Sequence, residues 1–198
     1  MNSKRWSVGI FLFDDVEVLD FAGPFEVFSI TTWNDGSQPF LVETVSEKGN
    51  LIRARNGLKV QPDYSFASMP SFDVLVIPGG YGAREREINN PIVIQWISKQ
   101  MQSVQIMASV CTGALLLAKA GLLDGRKATT HWASLDRLET EFPSVLVQRD
   151  VKFVDEGSII TSGGISAGIH MSFHLVKKWL GEEAARRTAK RMAFDIVI

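Results

Sequence analysis

The sequence predicts an α/β fold, a three-layer sandwich whose central sheet is mostly parallel, built as one domain over residues 1–198. Three observations carry this expectation. Two short runs, 8–13 and 73–77, are almost wholly apolar, as in strands buried on both faces. Segments with apolar residues at helical spacing alternate with such runs. No repeat, low-complexity tract or linker interrupts the alternation.

The first strand, 8–13, runs into an acidic loop over 14–19. Asp20 is placed to cap a helix carrying Phe21, Phe25, Val27 and Phe28, with Pro24 in its first turn. Residues 40–45 make the second strand. Asn56-Gly57 is a hairpin signal between 51–55 and 58–61. The strand at 73–77 ends in Pro78-Gly79-Gly80. Asn90-Pro91 opens a helix with Ile94, Ile97 and Met101 at helical spacing. Residues 104–108 form the next strand, and 112–120 a helix that Gly121 stops. A second hairpin joins 151–154 to 158–161 through Glu156-Gly157, and helices over about 167–180 and 182–193 follow.

Composition narrows the partners. Apolar residues are 45% and charged residues 22%, a globular balance. A formal net charge of −1 gives no footing for nucleic acid or an anionic membrane surface. No apolar run is long enough to span a bilayer. The basic start at 1–5 leads into an apolar segment that breaks at Asp14-Asp15, which does not fit a secretory signal. With one cysteine there is no internal disulfide, and the cytoplasm is the expected compartment.

In a parallel sheet, ligands bind beyond the carboxyl ends of the strands. The residues expected there are Asp14, Asp15, Glu17 and Asp20; Gly79-Gly80-Tyr81-Gly82; Ser109-Val110-Cys111-Thr112-Gly113; and Ser162-Gly163-Gly164. If the strands are neighbours, a carboxylate, glycine-rich turns and a thiol share one pocket. Cys111 lies between Ser109 and Gly113, small residues that let a strand reverse into a helix at a nucleophile. Helix amino termini favour negative charge, so Cys111 is expected as a thiolate with its pKa below the usual value of about 8.5. The amides of Thr112 and Gly80 are the expected donors to an oxyanion.

Spacing does not choose among Asp15, Glu17 and Asp20 as the acid, and it favours a capping role for Asp20. His131 is either an orienter of the thiol or a structural histidine. His170 and His174 stand four apart but lack the Glu of a His-Glu-x-x-His motif and a third ligand, so no metal is expected. Arg186, Arg187, Lys190 and Arg191 read as a solvated helix face paired in part with Glu182 and Glu183.

An ordered series of motifs covers nearly the whole chain. It comprises Leu-Asp-Phe-Ala-Gly-Pro-Phe-Glu-Val-Phe at 19–28, Val-Ile-Pro-Gly-Gly at 76–80 and Ser-Val-Cys-Thr-Gly at 109–113. Ala-Gly-Leu-Leu-Asp-Gly-Arg at 120–126, Ala-Thr-Thr-His-Trp at 128–132 and Thr-Ser-Gly-Gly-Ile-Ser-Ala-Gly at 161–168 complete it. The series resembles the ThiJ/PfpI superfamily, with its flavodoxin-like, class I glutamine amidotransferase-like fold. Within it, the chain looks most like isonitrile hydratases and the amidase-like domains of AraC-type regulators.

That resemblance implies Cys111 as nucleophile, Asp20 as its acidic partner, and Thr112 as the threonine that isonitrile hydratases also need. The implied activity adds water to a small isonitrile to give an N-substituted formamide, with neither metal nor organic cofactor. Gly79, Gly80, Tyr81, His131, Trp132, Gly164 and Ile165 are then pocket residues, with Tyr81, Trp132 and Ile165 choosing the substrate. A homodimer is implied as well. Departures restrict the reading. Protease-like members carry a histidine where this chain has Thr112, and nothing after Gly164 fits the His and Glu of glutamine amidotransferases. The chain stops at Ile198 without the regulators' helix-turn-helix region, so direct action on DNA is not expected. Glyoxalase-like or amide-hydrolysing chemistry, and oxidant or ligand sensing through Cys111, stay open.

Overall fold

The apolar runs become the middle of a seven-stranded sheet in the computed structural model, which describes residues 5–196. Of the basic start noted at 1–5, residues 1–4 lie outside that range. In chain order the strands are β1 (Trp6–Phe11), β2 (Phe40–Ser46), β3 (Ile52–Arg53), β4 (Lys59–Val60), β5 (Tyr64–Ser65) and β6 (Val74–Ile77). They continue as β7 (Ile106–Val110), β8 (Lys127–Ala128), β9 (Leu146–Val147), β10 (Phe153–Asp155) and β11 (Ile159–Ser162). The helices are α1 (Val18–Ile30), α2 (Tyr81–Glu85), α3 (Pro91–Gln100), α4 (Gly113–Lys119), α5 (Leu135–Glu141), α6 (Ala167–Leu180) and α7 (Glu182–Arg191).

The main sheet runs β10-β11-β7-β6-β1-β2-β5, and every pair in it is parallel except β10 with β11 at the edge. The chain leaves β1 toward β2 and later returns to β6 on β1's other side, so the strand order reverses there. Such a reversal opens a crevice at the carboxyl ends of the strands. Helices α1, α6 and α7 pack on one another, with α1 and α6 against the sheet, while α3 and α4 form a second packed group with α4 against β6 and β7. Every residue of β6 and β7 is buried, as suits strands that are apolar but for Ser109 in β7. Phe66 stacks on Trp96 at 3.9 Å between ring centroids, with Phe11 beside both.

Several boundaries differ from the sequence reading. Helix α1 begins at Val18, so Asp20 lies within its first turn and does not cap it; Glu17 is the flanking residue and makes no side-chain cap. Pro24 falls inside α1, not in its first turn, where it cannot supply the N–H that the Asp20 carbonyl would otherwise receive. Strand β7 starts at Ile106, because its register with β6 pairs Val74 with Ile106 and the amides of Gln105 and Ile106 both bond the Asp73 carbonyl. The first hairpin is only two residues to a strand, with Asn56 and Gly57 both at positive φ. Helices α2 and α5 and the small β8–β9 pair had no periodic signal, being too short to show one.

Other signals hold. The Asn90 side chain accepts a hydrogen bond from the Ile92 amide at 3.1 Å and caps α3. Gly121 follows α4 at φ 74°. Arg186 and Arg187 pair with Glu182 and Glu183 on α7. Among the described residues no helix is long and apolar enough to cross a membrane.

Candidate active site

Cys111 sits on the β7–α4 turn at φ 56°, in the left-handed region that non-glycine residues rarely occupy. This costs of order 1–3 kcal/mol and persists only where the surroundings hold it. Here they do. The Cys111 amide donates to the Ser162 and Gly163 carbonyls at 3.2 and 3.1 Å, and its carbonyl accepts from the Thr130 hydroxyl at 2.7 Å. The turn also needs room. A Cβ on Gly113 would overlap the Ile77 carbonyl, and one on Gly79 would overlap the Thr112 amide. The glycines therefore let the β6 and β7 turns lie against each other, and a Val16–Gly80 bridge ties the loop after β1 to the same place.

Asp20 is fully buried behind Cys111. One carboxyl oxygen accepts from the Gly79 amide and the other from the Ile165 amide, each at 3.1 Å, and the thiol is a third partner. Burial pushes the Asp20 pKa up to about 7 against these bonds, with the Glu17 charge adding to the rise. The structure thus places Asp20, of the candidates Asp15, Glu17 and Asp20, against the sulfur. It also replaces its expected capping role, because turning into the protein gives its oxygens amides from β6's turn and from the loop before α6.

The expectation of a lowered thiol pKa is overturned. Burial, then the charge of Asp20, raises the Cys111 pKa above its ordinary value, outweighing the Thr112 amide and hydroxyl that favour negative sulfur. The seven-residue α4 is a weak counterweight. Thiol and carboxyl thus hold a proton between them near neutrality, and that proton resides on sulfur while Asp20 is charged.

Thr112, also buried, has its hydroxyl 2.9 Å from the Gly80 amide, which donates to it. This corrects the expected oxyanion hole at Gly80, whose amide is spent on Thr112; the Thr112 amide faces the sulfur, and the neighbouring Gly79 amide is spent on Asp20.

In front of Cys111 lies a cavity of about 240 Å³. Gly80, Tyr81, Thr112, His131 and Ile165 line it, as the sequence suggested. Glu17, Arg55 and Arg84 line it too. Asp20 meets it only through Cys111. The His131 ring lies over Gly164, where a Cβ would overlap it. Its Nδ1 accepts from the Ala133 amide at 3.3 Å, which leaves the ring proton on Nε2. Partial burial, then the Arg84 charge, lowers its pKa, so the ring is neutral at pH 7. Trp132 does not belong here. It is 78% exposed and absent from the cavity wall, because the short turn after His131 carries it outward.

Glu17 was visible as an alternative acid. Arg55 and Arg84 were not seen as site residues. The only signal for Arg55 was its place before Asn56-Gly57. What brings it in is a set of bonds from the loop after β1: Arg55 amide to Val16 carbonyl at 2.8 Å and Arg53 amide to the Asp14 carboxylate at 2.7 Å. His170 and His174 have other partners, Lys152 and Asp155, and no group of three metal-ligating side chains forms among the described residues.

A flavodoxin-like sheet whose strand-to-helix turn holds a strained cysteine against a buried carboxyl defines a recognisable class of α/β protein. The chain belongs to the DJ-1/PfpI family, whose model matches residues 6–178. It is 33% identical over 180 residues to isonitrile hydratase from Pseudomonas putida, covering 90% of this chain and 74% of that protein. It is 27% identical to the HTH-type transcriptional regulator GbdR of Pseudomonas aeruginosa over 98% of its own length, and spans about half, 52%, of the regulator. Among solved structures, a ThiJ/PfpI family protein from Pseudomonas syringae superposes with a TM-score of 0.86 at 23% identity, over 98% of this chain and 77% of that one. Drosophila melanogaster DJ-1beta gives 0.83 at 20% identity, over 97% of this chain and all of that one. These likenesses bear out the three-layer fold.

Proposed function

We propose that the protein is a cysteine-dependent hydratase of small isonitriles, R–N≡C, which it converts to N-substituted formamides. The observation that carries the reading is the strained Cys111, hydrogen-bonded to buried Asp20 and opening on a cavity of about 240 Å³. The isonitrile hydratase relative supports the choice of substrate.

The chemistry follows from the shared proton. Sulfur attacks the terminal isonitrile carbon, a C–S bond forms, and the proton held between sulfur and Asp20 ends on that carbon. The product is a thioimidate, R–N=CH–S. Water then adds across C=N, its oxygen to carbon and a proton to nitrogen. The resulting R–NH–CH(OH)–S collapses with cleavage of C–S, and the hydroxyl proton returns through Asp20 to the sulfur. R–NH–CHO leaves and the thiol is restored. A carboxyl of pKa about 7 both gives and takes a proton efficiently at neutral pH.

The test is formamide production from a panel of isonitriles by the wild-type protein. No acceleration over the buffer rate for any of them overturns the reading. A second reading, a ligand-sensing domain, is favoured by the regulator that the chain matches over 98% of its length. Saturable binding of a small molecule without turnover would identify it. The proposal includes a homodimer of single-domain chains in the cytoplasm, and light scattering on the eluting protein tests the dimer.

A further inference from the structure

Tyr81 stands at the mouth of the cavity, 41% exposed, with two guanidinium groups over its ring. Arg55, from the β3–β4 hairpin, lies 5.3 Å from the ring centroid and Arg84, one turn along α2, lies 5.6 Å from it. All three line the same cavity as Cys111.

Neither guanidinium is closed off by a near carboxylate, unlike several others in the chain. Arg86, Arg137, Arg149, Arg186 and Arg187 each place a guanidinium nitrogen within 3.1 Å of a carboxylate oxygen. Arg55 makes no side-chain hydrogen bond or ion pair among the described residues; Tyr81 is its partner. The nearest carboxylate to Arg84 is Glu85 at 3.7 Å, and Glu85 is shared with Arg137. A guanidinium stacked on an aromatic face keeps its edge N–H donors free in a planar fork that matches a carboxylate. Glu17 is the one carboxylate in the cavity wall and bonds neither arginine, so the rim has a surplus of positive charge over unpaired donors.

We infer that the substrate is anionic, its isonitrile carbon at Cys111 and a carboxylate on its substituent held by Arg55 and Arg84 across Tyr81. Arg55 and Arg84 are then specificity-determining residues. The inference rests on the hydratase reading for the reacting end and on the rim for the other end. The simplest such substrate is isocyanoacetate, whose hydration product is N-formylglycine.

The two parts are tested separately. Calorimetry compares binding of N-formylglycine with its neutral amide, in the wild-type protein and in the double variant Arg55→Gln, Arg84→Gln. The anion should bind about tenfold tighter to the wild type, as expected for a charge-assisted bidentate contact, and the ratio should fall toward one in the variant. Equal affinities, no binding of either compound, or a preference that survives the double substitution overturns the anion subsite. Both arginines are at the surface, and an unchanged melting temperature will show that the variant is folded. Turnover of isocyanoacetate against isocyanoacetamide should show the same preference. A calorimetric preference with no turnover of either compound overturns hydration and leaves the subsite. Turnover of both at one rate without a binding preference does the reverse.

Discussion

Asp20 and Asp155 are both partly or fully withdrawn from water, yet their surroundings divide them. Asp20, in the first turn of α1, has two amides and a thiol as partners and no cation. Asp155, at the end of β10, meets His174 at 2.7 Å and Lys178 at 3.0 Å. Burial raises the pKa of both. At Asp155 the His174 bond, the Gly157 amide and Lys178 together outweigh it and hold the carboxyl below its usual range. At Asp20 nothing does, and the pKa settles near 7. The same side chain is a permanent anion tying α6 to the sheet edge in one place and a proton carrier in the other. The cation makes the difference.

The largest test of this division is at sulfur. Cys111→Ala should lower isonitrile turnover by ~10³-fold or more, since the proposed route has no other nucleophile. Formamide release followed by chromatography reads this directly. Asp20→Asn should cost ~10²- to 10⁴-fold in the same assay, the range for removing a general acid–base. In the same variant, alkylation of Cys111 by iodoacetamide at pH 8 should become faster, because the negative charge that helps raise the thiol pKa is gone. A slower alkylation would show that Asp20 does not oppose ionisation of the sulfur. Asp155→Asn should leave turnover unchanged.

Stability should divide the two acids by sign. The folded pKa of Asp20 lies above the unfolded value of 3.8. Its stabilising contribution is therefore complete below that value and is lost as pH rises through about 7. The loss is roughly 4 kcal/mol, from about 1.36 kcal/mol per pH unit. Urea unfolding at pH 5 and pH 8 should show the wild type weakening and Asp20→Asn holding steady. Asp155 runs the other way. Its contribution is present above the unfolded pKa and disappears as pH falls through the lower folded one. Asp155→Asn should lose about 1 kcal/mol at pH 7, as suits a half-exposed pair, and show a flatter acid limb. Equal pH slopes in both variants would erase the contrast.

Much of this was readable in the residues, unevenly. The apolar runs at 8–13 and 73–77 announce β1 and β6, though β1 itself lies two residues earlier, at Trp6–Phe11, because a strand covered on both faces has no use for polar side chains. The second hairpin announced itself through Glu156-Gly157, and α3 through Asn90-Pro91. Cys111 was legible as an elbow from Ser109 and Gly113. Asp20 as its partner came from family resemblance, since local spacing offered a cap just as readily. Trp132 was misplaced because His131 and Trp132 are neighbours in sequence but turn opposite ways. Arg55 and Arg84 escaped notice because neither sits in a motif; they meet only where a hairpin folds back toward Tyr81.

Sequence alone therefore determined the alternation of layers, the turn that carries the thiol and the family to which the chain belongs, for these depend on short-range patterns of burial and backbone freedom. Tertiary structure decided which acid faces the sulfur, which amides are already spent, and that the thiol pKa rises instead of falling. Those outcomes depend on desolvation and on charges brought together from residues 91 positions apart, as Asp20 and Cys111 are. Electrostatics of that kind is set by distance in space, which the order of residues does not contain.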